Sequence, residues 1–247
     1  MSYTVKPRYE WQLHIDSYMV GPDCLLRPSY QLKLQQEVGE RHFTEAGLGY
    51  DALVEQGMVF VLTRLRTVIR RSPRLGETVT LQTWHQGVRG VQFFRCYRFL
   101  DEQGESLIES VSAFTLVDPT THKLLRPTVF DKFGIVGLDE ALPLCDRPEK
   151  LVLPSDLESV AEPVVLHSQV DMNGHLNNTE YADLVCDYLP DGMDGRRITS
   201  LEIGYHKESR QGQILKLAAC DDGKAVWMQG SRDGDLCFNA KMSYVRE

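Results

Sequence analysis

The apolar positions of this chain change period twice, and the changes divide it into two similar halves. From Pro28 to about Ala46 they recur at helical spacing. Pro28 suits a first helical turn and the Gly47–Gly49 region suits a stop, so a helix is expected there. Long runs rich in β-branched and aromatic residues follow: Met58–Arg70, Glu77–His85, Val91–Leu100 and Glu105–Val117. Turn clusters separate them at Ser72–Gly76, Gly87–Gly90 and Asp101–Gly104. This pattern predicts an antiparallel meander. The second half repeats the grammar. Val164–Val170 reads as a short strand. Asn177–Leu189 reads as a helix, with Tyr181, Leu184, Val185 and Tyr188 at i, i+3, i+4 and i+7. Asn177 is placed to cap it, with Glu180 completing a capping box. Strands are expected at Ile198–Lys207, Gln213–Cys220, Ala225–Gln229 and Leu236–Val245.

Between the halves, Pro127, Pro143, Pro148, Pro154 and Pro163 interrupt any regular element, so this stretch reads as a linker or wrapping segment. We place the boundary near residue 150, giving units 1–150 and 151–247. The halves also align weakly in sequence. Leu25–Tyr30 resembles Leu176–Tyr181, and Gly76–Leu81 resembles Gly212–Leu217. A repeat of about 140 residues supports duplication of one α+β unit.

Composition narrows the function classes. With 42% apolar and 25% charged residues the chain is an ordinary globular sequence. A net charge of −8 argues against a nucleic-acid binder. No apolar run reaches the roughly 20 residues of a membrane span. The N-terminal residues lack the marks of a leader, so a cytoplasmic location is expected. Cys24, Cys96, Cys145, Cys186, Cys220 and Cys237 are widely spaced and form no zinc pattern. They read as reduced thiols, mostly in the core, and no metal or other cofactor is expected.

The chemistry concentrates in Val170-Asp-Met-Asn-Gly-His-Leu-Asn-Asn-Thr-Glu-Tyr181. A turn here can gather Asp171, Asn173 and His175 in front of a helix, where the dipole favours developing negative charge. Such a set suits hydrolysis or acyl transfer. Read as residues alone, it equally suits a cap and a turn. In the repeat alignment the first half carries Val20, Pro22 and Cys24 at these places. The chemistry is therefore expected in the second half only, leaving the first free to bind.

Asp-x-x-Gly-His-Leu-Asn-Asn-x-x-Tyr before a helix resembles the hotdog-fold thioesterases. Two tandem copies with the fuller Asp171-x-Asn173-x-His175 in the second resemble the acyl-acyl carrier protein thioesterases. Further matches are Tyr205-His-Lys-Glu-Ser209, Gly76-Glu-x-Val-x-Leu-x-Thr-Trp84 and Asp118-Pro-Thr-Thr-His-Lys-Leu124. The resemblance covers nearly the whole chain. It implies two tandem hotdog domains, each a long helix wrapped by an antiparallel sheet. It also implies that Asp171, Asn173, His175 and Glu208 are catalytic. Ser209 stands where many members carry cysteine, which places the weight on Glu208 as general base or direct nucleophile. The implied reaction is hydrolysis of a fatty acyl thioester, with acyl carrier protein as the substrate's carrier. A homodimer is compatible with it.

A fatty chain needs an apolar tunnel, in which each buried CH₂ is worth about 0.8 kcal/mol. Leu34, Val38, Met58, Phe60, Trp84, Phe93 and Phe94 are the candidate lining. Arg64, Arg66, Arg70, Arg71 and Arg74 form the densest positive run, a candidate docking patch for an acidic carrier. Arg64, Arg66 and Arg70 are expected to share one strand face. Two readings compete: an acyl-coenzyme A thioesterase on the same fused fold, and a non-catalytic acyl-binding regulator.

Overall fold

The computed structural model describes residues 5–135 and 137–246. Ten strands form one continuous antiparallel sheet in the order β1-β3-β4-β5-β2-β7-β10-β9-β8-β6. The first half contributes β1 (Tyr9–His14), β2 (Val59–Ile69), β3 (Thr78–Arg89), β4 (Gln92–Leu100) and β5 (Ser106–Val117). The second contributes β6 (Glu158–Ala161), β7 (Arg196–Tyr205), β8 (Lys216–Asp221), β9 (Ala225–Arg232) and β10 (Asp235–Arg246). Three helices accompany them: α1 (Pro28–Glu45), α2 (Tyr50–Glu55) and α3 (Glu180–Asp187). Among the described residues no helix is long and apolar enough to cross a membrane.

The halves meet where β2 pairs with β7, from Arg64 opposite Gly204 to Val68 opposite Ser200. Arg66 faces Glu202 there. These two positions are also counterparts under the offset that equates Gly76 with Gly212, so the local two-fold axis of the duplication passes between them. The helices join across the same axis, where Lys33 Nζ lies 2.8 Å from Glu180 Oε1.

The inner face of α1 is unusual for a core helix. Its buried positions fall at helical spacing, but Ser29, Gln31, Gln35 and His42 are among them. Gln31 Nε2 donates to Thr67 Oγ1 at 3.3 Å. Polar atoms on a buried face need partners or a cavity, and a cavity lies beneath this helix.

Several expectations need correction. The second helix is eight residues long and starts at Glu180 rather than Asn177. Asn177 Oδ1 instead closes a tight turn, accepting the Thr179 N–H at 3.0 Å. Glu180 pairs with Lys33 rather than completing a capping box. Val164–Val170 is not a strand: isolated bridges join Val164 to Ile214 and Val170 to Leu176, with a short 3₁₀ turn between them at His167–Gln169. The chain must turn there to enter the Asp171 motif. The edge strands β1 and β6 and the short helix α2 carried no periodic signal long enough to find. The proline-rich segment wraps the first half: Leu142 and Cys145 pack with Trp84, Phe94 and Val111.

One close approach in the second half sets a stability prediction. A Cβ on Gly230 would lie 2.2 Å from Phe238 Cε1 and 2.7 Å from Cδ1. Phe238 is fully buried and packs edge-on against Tyr181 with centroids 4.9 Å apart. The ring has nowhere to go. Gly230→Ala is expected to cost about 1–3 kcal/mol by overpacking, with Tm falling by roughly 2–4 °C per kcal/mol. An unchanged melting curve would show that β9 and Phe238 separate freely.

Candidate active site

The Asp171 motif is a self-supporting turn. Asp171 N–H donates to His175 O at 2.8 Å and Gly174 N–H to Asp171 O at 2.9 Å. Asp171 Oδ1 accepts the N–H groups of Asn173 at 2.9 Å and His175 at 3.2 Å. Gly174 sits at φ +75°, a conformation that favours glycine. The motif is strapped to the segment after β7: Leu176 N–H donates to Ser209 O at 2.7 Å, and His175 bridges Arg210. That strap carries Glu208 to the imidazole. His175 Nε2 lies 3.0 Å from Glu208 Oε2, with side-chain exposures of 21% and 57%. Arg232 fixes the Glu208 backbone by donating to its carbonyl at 2.9 Å.

Asn173 points the other way, toward the first half. Tyr50 at the start of α2 donates its hydroxyl to Asn173 Oδ1 at 2.9 Å. Glu40 Oε1 in turn accepts the Tyr50 N–H at 3.0 Å. The Asn173 carbonyl is thus engaged, and its NH₂ is left to donate.

A cavity of about 430 Å³ opens beside this turn. Asp171, Met172, Asn173, Asn177, Asn178 and Thr179 form its wall from the second half. The first half supplies Tyr50, Leu62, Leu65 and the aromatic cluster Phe43, Phe60, Phe93, Phe114 and Phe130, with Arg95, His85, Gln35, Tyr97 and Ser112. His175, on the same turn, and Glu208 are not among the residues of the wall.

Of the residues expected to line a tunnel, Phe60, Phe93 and Phe94 are on the wall. Leu34 and Val38 belong to the core between α1 and the β1 edge. Met58 lies in the cluster with Leu48 and Leu116. Trp84 packs under the wrapping segment, where its Nε1–H donates to Glu140 O at 3.0 Å. The reason is strand parity. Trp84, Phe94 and Cys96 pack on the face covered by the wrapping segment, Phe94 reaching the cavity as well, whereas Phe93, Arg95 and Tyr97 line the cavity beneath α1.

The arginines of the run differ in their surroundings. Arg64 and Arg66 lie on β2, which ends at Ile69, and the Arg70 N–H still bonds Leu107 O at 3.0 Å. Arg70 lies 4.0 Å from Glu105. Arg71 makes two hydrogen bonds to the Glu77 carboxylate, at 2.8 and 2.9 Å. Arg66 is half-buried, and its carbonyl accepts from Cys145 Sγ at 3.3 Å. Arg74 is exposed at the turn before β3.

The cysteines offer no nucleophile to the cavity. All six are free. Burial pushes the thiols of Cys96, Cys145 and Cys186 up to about 12. Cys24 is exposed, in a turn of the other half, so the expectation that the cysteines sit mostly in the core holds for only three of them. Ser209 is completely buried. Tyr205 donates its hydroxyl to Asn178 O at 2.9 Å, which ties β7 to the approach of α3.

The duplication shows what the first half lacks. Gly21 N–H bonds Leu25 O as Asp171 N–H bonds His175 O, and Leu26 N–H bonds Pro73 O as Leu176 N–H bonds Ser209 O. Cys24, at φ 60°, therefore matches Gly174. The structural counterparts of Asp171, Asn173 and His175 are Gly21, Asp23 and Leu25, one residue beyond the weak sequence alignment. Glu208 is matched by Ser72. The first half holds no equivalent acid–imidazole pair.

Comparison with known proteins agrees with this layout. The family model for the acyl-ACP thioesterase N-terminal domain matches residues 6–130, and that for the C-terminal domain matches residues 157–238. The palmitoyl-acyl carrier protein thioesterase of Gossypium hirsutum is 26% identical over 219 residues, covering 82% of this chain and 52% of that protein. The oleoyl-acyl carrier protein thioesterase 1 of Arabidopsis thaliana is 23% identical over 230 residues, covering 84% and 62%. The chain thus spans little more than half the length of these chloroplast relatives. An acyl-ACP thioesterase from Bacteroides thetaiotaomicron shares the fold with a TM-score of 0.87 at 21% identity, covering 97% of this chain and 98% of that one. The 12:0-ACP thioesterase from Umbellularia californica gives 0.86 at 21%, covering 98% of both. Because the two family models together take in most of the chain, from β1 to the start of β10, this tandem-hotdog protein belongs to the acyl-ACP thioesterase family.

Proposed function

We propose that the chain hydrolyses the thioester of a fatty acyl group carried on acyl carrier protein, releasing the free fatty acid. The observation that carries this reading is the division of the motif turn. Asp171 and Asn173 line an aromatic-walled cavity, and the same turn carries His175, which is paired with Glu208. The acyl chain enters the cavity between the halves. The thioester carbonyl is left at the mouth, where Asn173 donates to its oxygen as negative charge develops. Glu208 takes a proton from water as that water attacks the carbonyl carbon. The carbon–sulfur bond then breaks, and the thiolate accepts a proton held by the Glu208–His175 pair. Asp171 organises the turn through its two backbone hydrogen bonds. The 57% exposure of Glu208 and its place off the cavity wall support a role through water over direct attack on the carbonyl.

Thiol release from matched acyl thioesters of acyl carrier protein and of coenzyme A tests the reading. Turnover is expected on both, with kcat/KM for the carrier-bound chain higher by about tenfold or more, since a docked carrier adds binding energy that coenzyme A lacks. A preference for coenzyme A would transfer the protein to acyl-coenzyme A hydrolysis. Binding without turnover on either would make it a non-catalytic acyl binder.

A further inference from the structure

The cavity is not uniformly greasy. Arg95 on β4 is 6% exposed and lies on its wall. Its Nη1 donates to His42 Nδ1 at 3.0 Å and to Thr83 Oγ1 at 3.3 Å. Its Nη2 is buried without a partner, and so is Nε2 of Gln35 on the same wall. Among the described residues no carboxylate pairs with this guanidinium. Glu40 acts on it only at a distance, with its Oε1 already accepting from Tyr50 and Thr44. The two neighbouring imidazoles add no charge: burial and the guanidinium hold His42 and His85 at about 4. His42 receives from Arg95 at Nδ1 and donates from Nε2 to Lys6 O at 2.7 Å, which fixes its neutral form. The guanidinium keeps its own proton even when buried.

The guanidinium lies over the Phe43 ring, 4.5 Å from its centroid, so what is left over is the Nη2 donor, and a buried donor without an acceptor is costly on arginine and glutamine alike. Both donors belong to side chains that line one cavity, beside the aromatic cluster of its wall. A plain hydrocarbon chain would leave them unsatisfied and displace any water that served them. We propose that Arg95 and Gln35 are specificity residues for an oxygen acceptor, a hydroxyl, carbonyl or carboxylate, on the acyl chain remote from the thioester. This deepens the hydrolase reading and rests on it for the direction in which the chain enters. The aromatic cluster takes the hydrocarbon, and the chain's oxygen accepts from the free N–H of Arg95 or of Gln35.

Non-hydrolysable pantetheine thioethers separate this from catalysis. One series carries a plain dodecyl chain, one the same chain with a hydroxyl moved stepwise along it, and one a terminal carboxylate. In the unaltered protein at least one oxygen-bearing chain is expected to bind about tenfold tighter than the plain chain. That ratio is expected to fall to about one or below in Arg95→Met and in Gln35→Leu. A ratio measured on one preparation is insensitive to loss of active protein, and the Gln35 variant stands in if removal of the arginine prevents folding. Tighter binding of the plain chain, or a ratio that survives both substitutions, overturns the proposal. Thiol release from the corresponding thioesters reports separately. Turnover of every chain without preference sinks the specificity and leaves the hydrolase. Preferential binding without turnover sinks the hydrolase and leaves the specificity.

Discussion

Replacing Glu208 with alanine is expected to lower kcat by about 10²–10⁴-fold, the usual contribution of a positioned general base, with little change in Tm. The carboxylate is 57% exposed, and its one close partner among the described residues is His175 Nε2 at 3.0 Å. Its removal leaves no buried group stranded. The backbone at this position is held independently, by Arg232 on the carbonyl and by the Leu176–Ser209 hydrogen bond next to it. Loss of rate without loss of fold is therefore the signature to look for. Glu208→Gln should lose nearly as much, since an amide keeps the shape but cannot take the proton. Removing His175 in the Glu208→Ala background should then cost little more, because the two act as a unit. In single turnover with heavy-oxygen water the label should appear in the fatty acid and not in the Glu208 carboxyl. Wild-type rates in Glu208→Ala would remove the base from the mechanism, and label in the side chain would make it a nucleophile.

How much of this was legible in the sequence follows from the range of each signal. The motif turn is local: Asp171, Gly174 and His175 lie within five positions, and their backbone bonds can be anticipated from the residue types. Glu208 was reachable only through resemblance. Nothing in its neighbourhood shows that Leu176 will bond Ser209 and so bring the carboxylate to the imidazole. Tyr50 left no signal, because α2 is six residues long and no apolar period can declare itself in so short a helix. Arg95, Gln35 and His42 carry no signal for a different reason. Polar residues in a strand and a helix read as solvent-facing, yet here they point inward because the interior holds a cavity rather than a packed core. The lining residues show the limit of composition. Phe93 and Trp84 are both bulky aromatic residues, and strand parity with the bulge after His85 decides which of them meets the cavity. The one-residue error in the repeat alignment has the same origin, since chemically unrelated side chains occupy equivalent turn positions and only the hydrogen bonds reveal the match.

Asn173→Ala is expected to reduce kcat by about 10²–10³-fold, the typical cost of losing one oxyanion donor, with KM nearly unchanged. The donor is useful only if its amide faces the right way, and that orientation comes from the other half of the molecule. Tyr50 holds Oδ1 at 2.9 Å, and Glu40 holds the Tyr50 backbone at 3.0 Å. Tyr50→Phe removes a single neutral hydrogen bond, worth about 0.5–1.5 kcal/mol, so its effect should be a fall of only a few-fold to about tenfold in kcat. The two substitutions combined decide whether Tyr50 acts through Asn173. If it does, adding Tyr50→Phe to Asn173→Ala changes nothing further, because the group it positions is already gone. A multiplicative loss would mean that the tyrosine hydroxyl meets the substrate itself. Equal falls in kcat and rises in KM for Tyr50→Phe would mean that it shapes the cavity mouth. The positioning role thus makes a demand on duplication itself: the half without catalytic groups must still supply the contact that aims the catalytic amide. The single-copy hotdog ancestor implied by the repeat would have needed a second subunit to provide it.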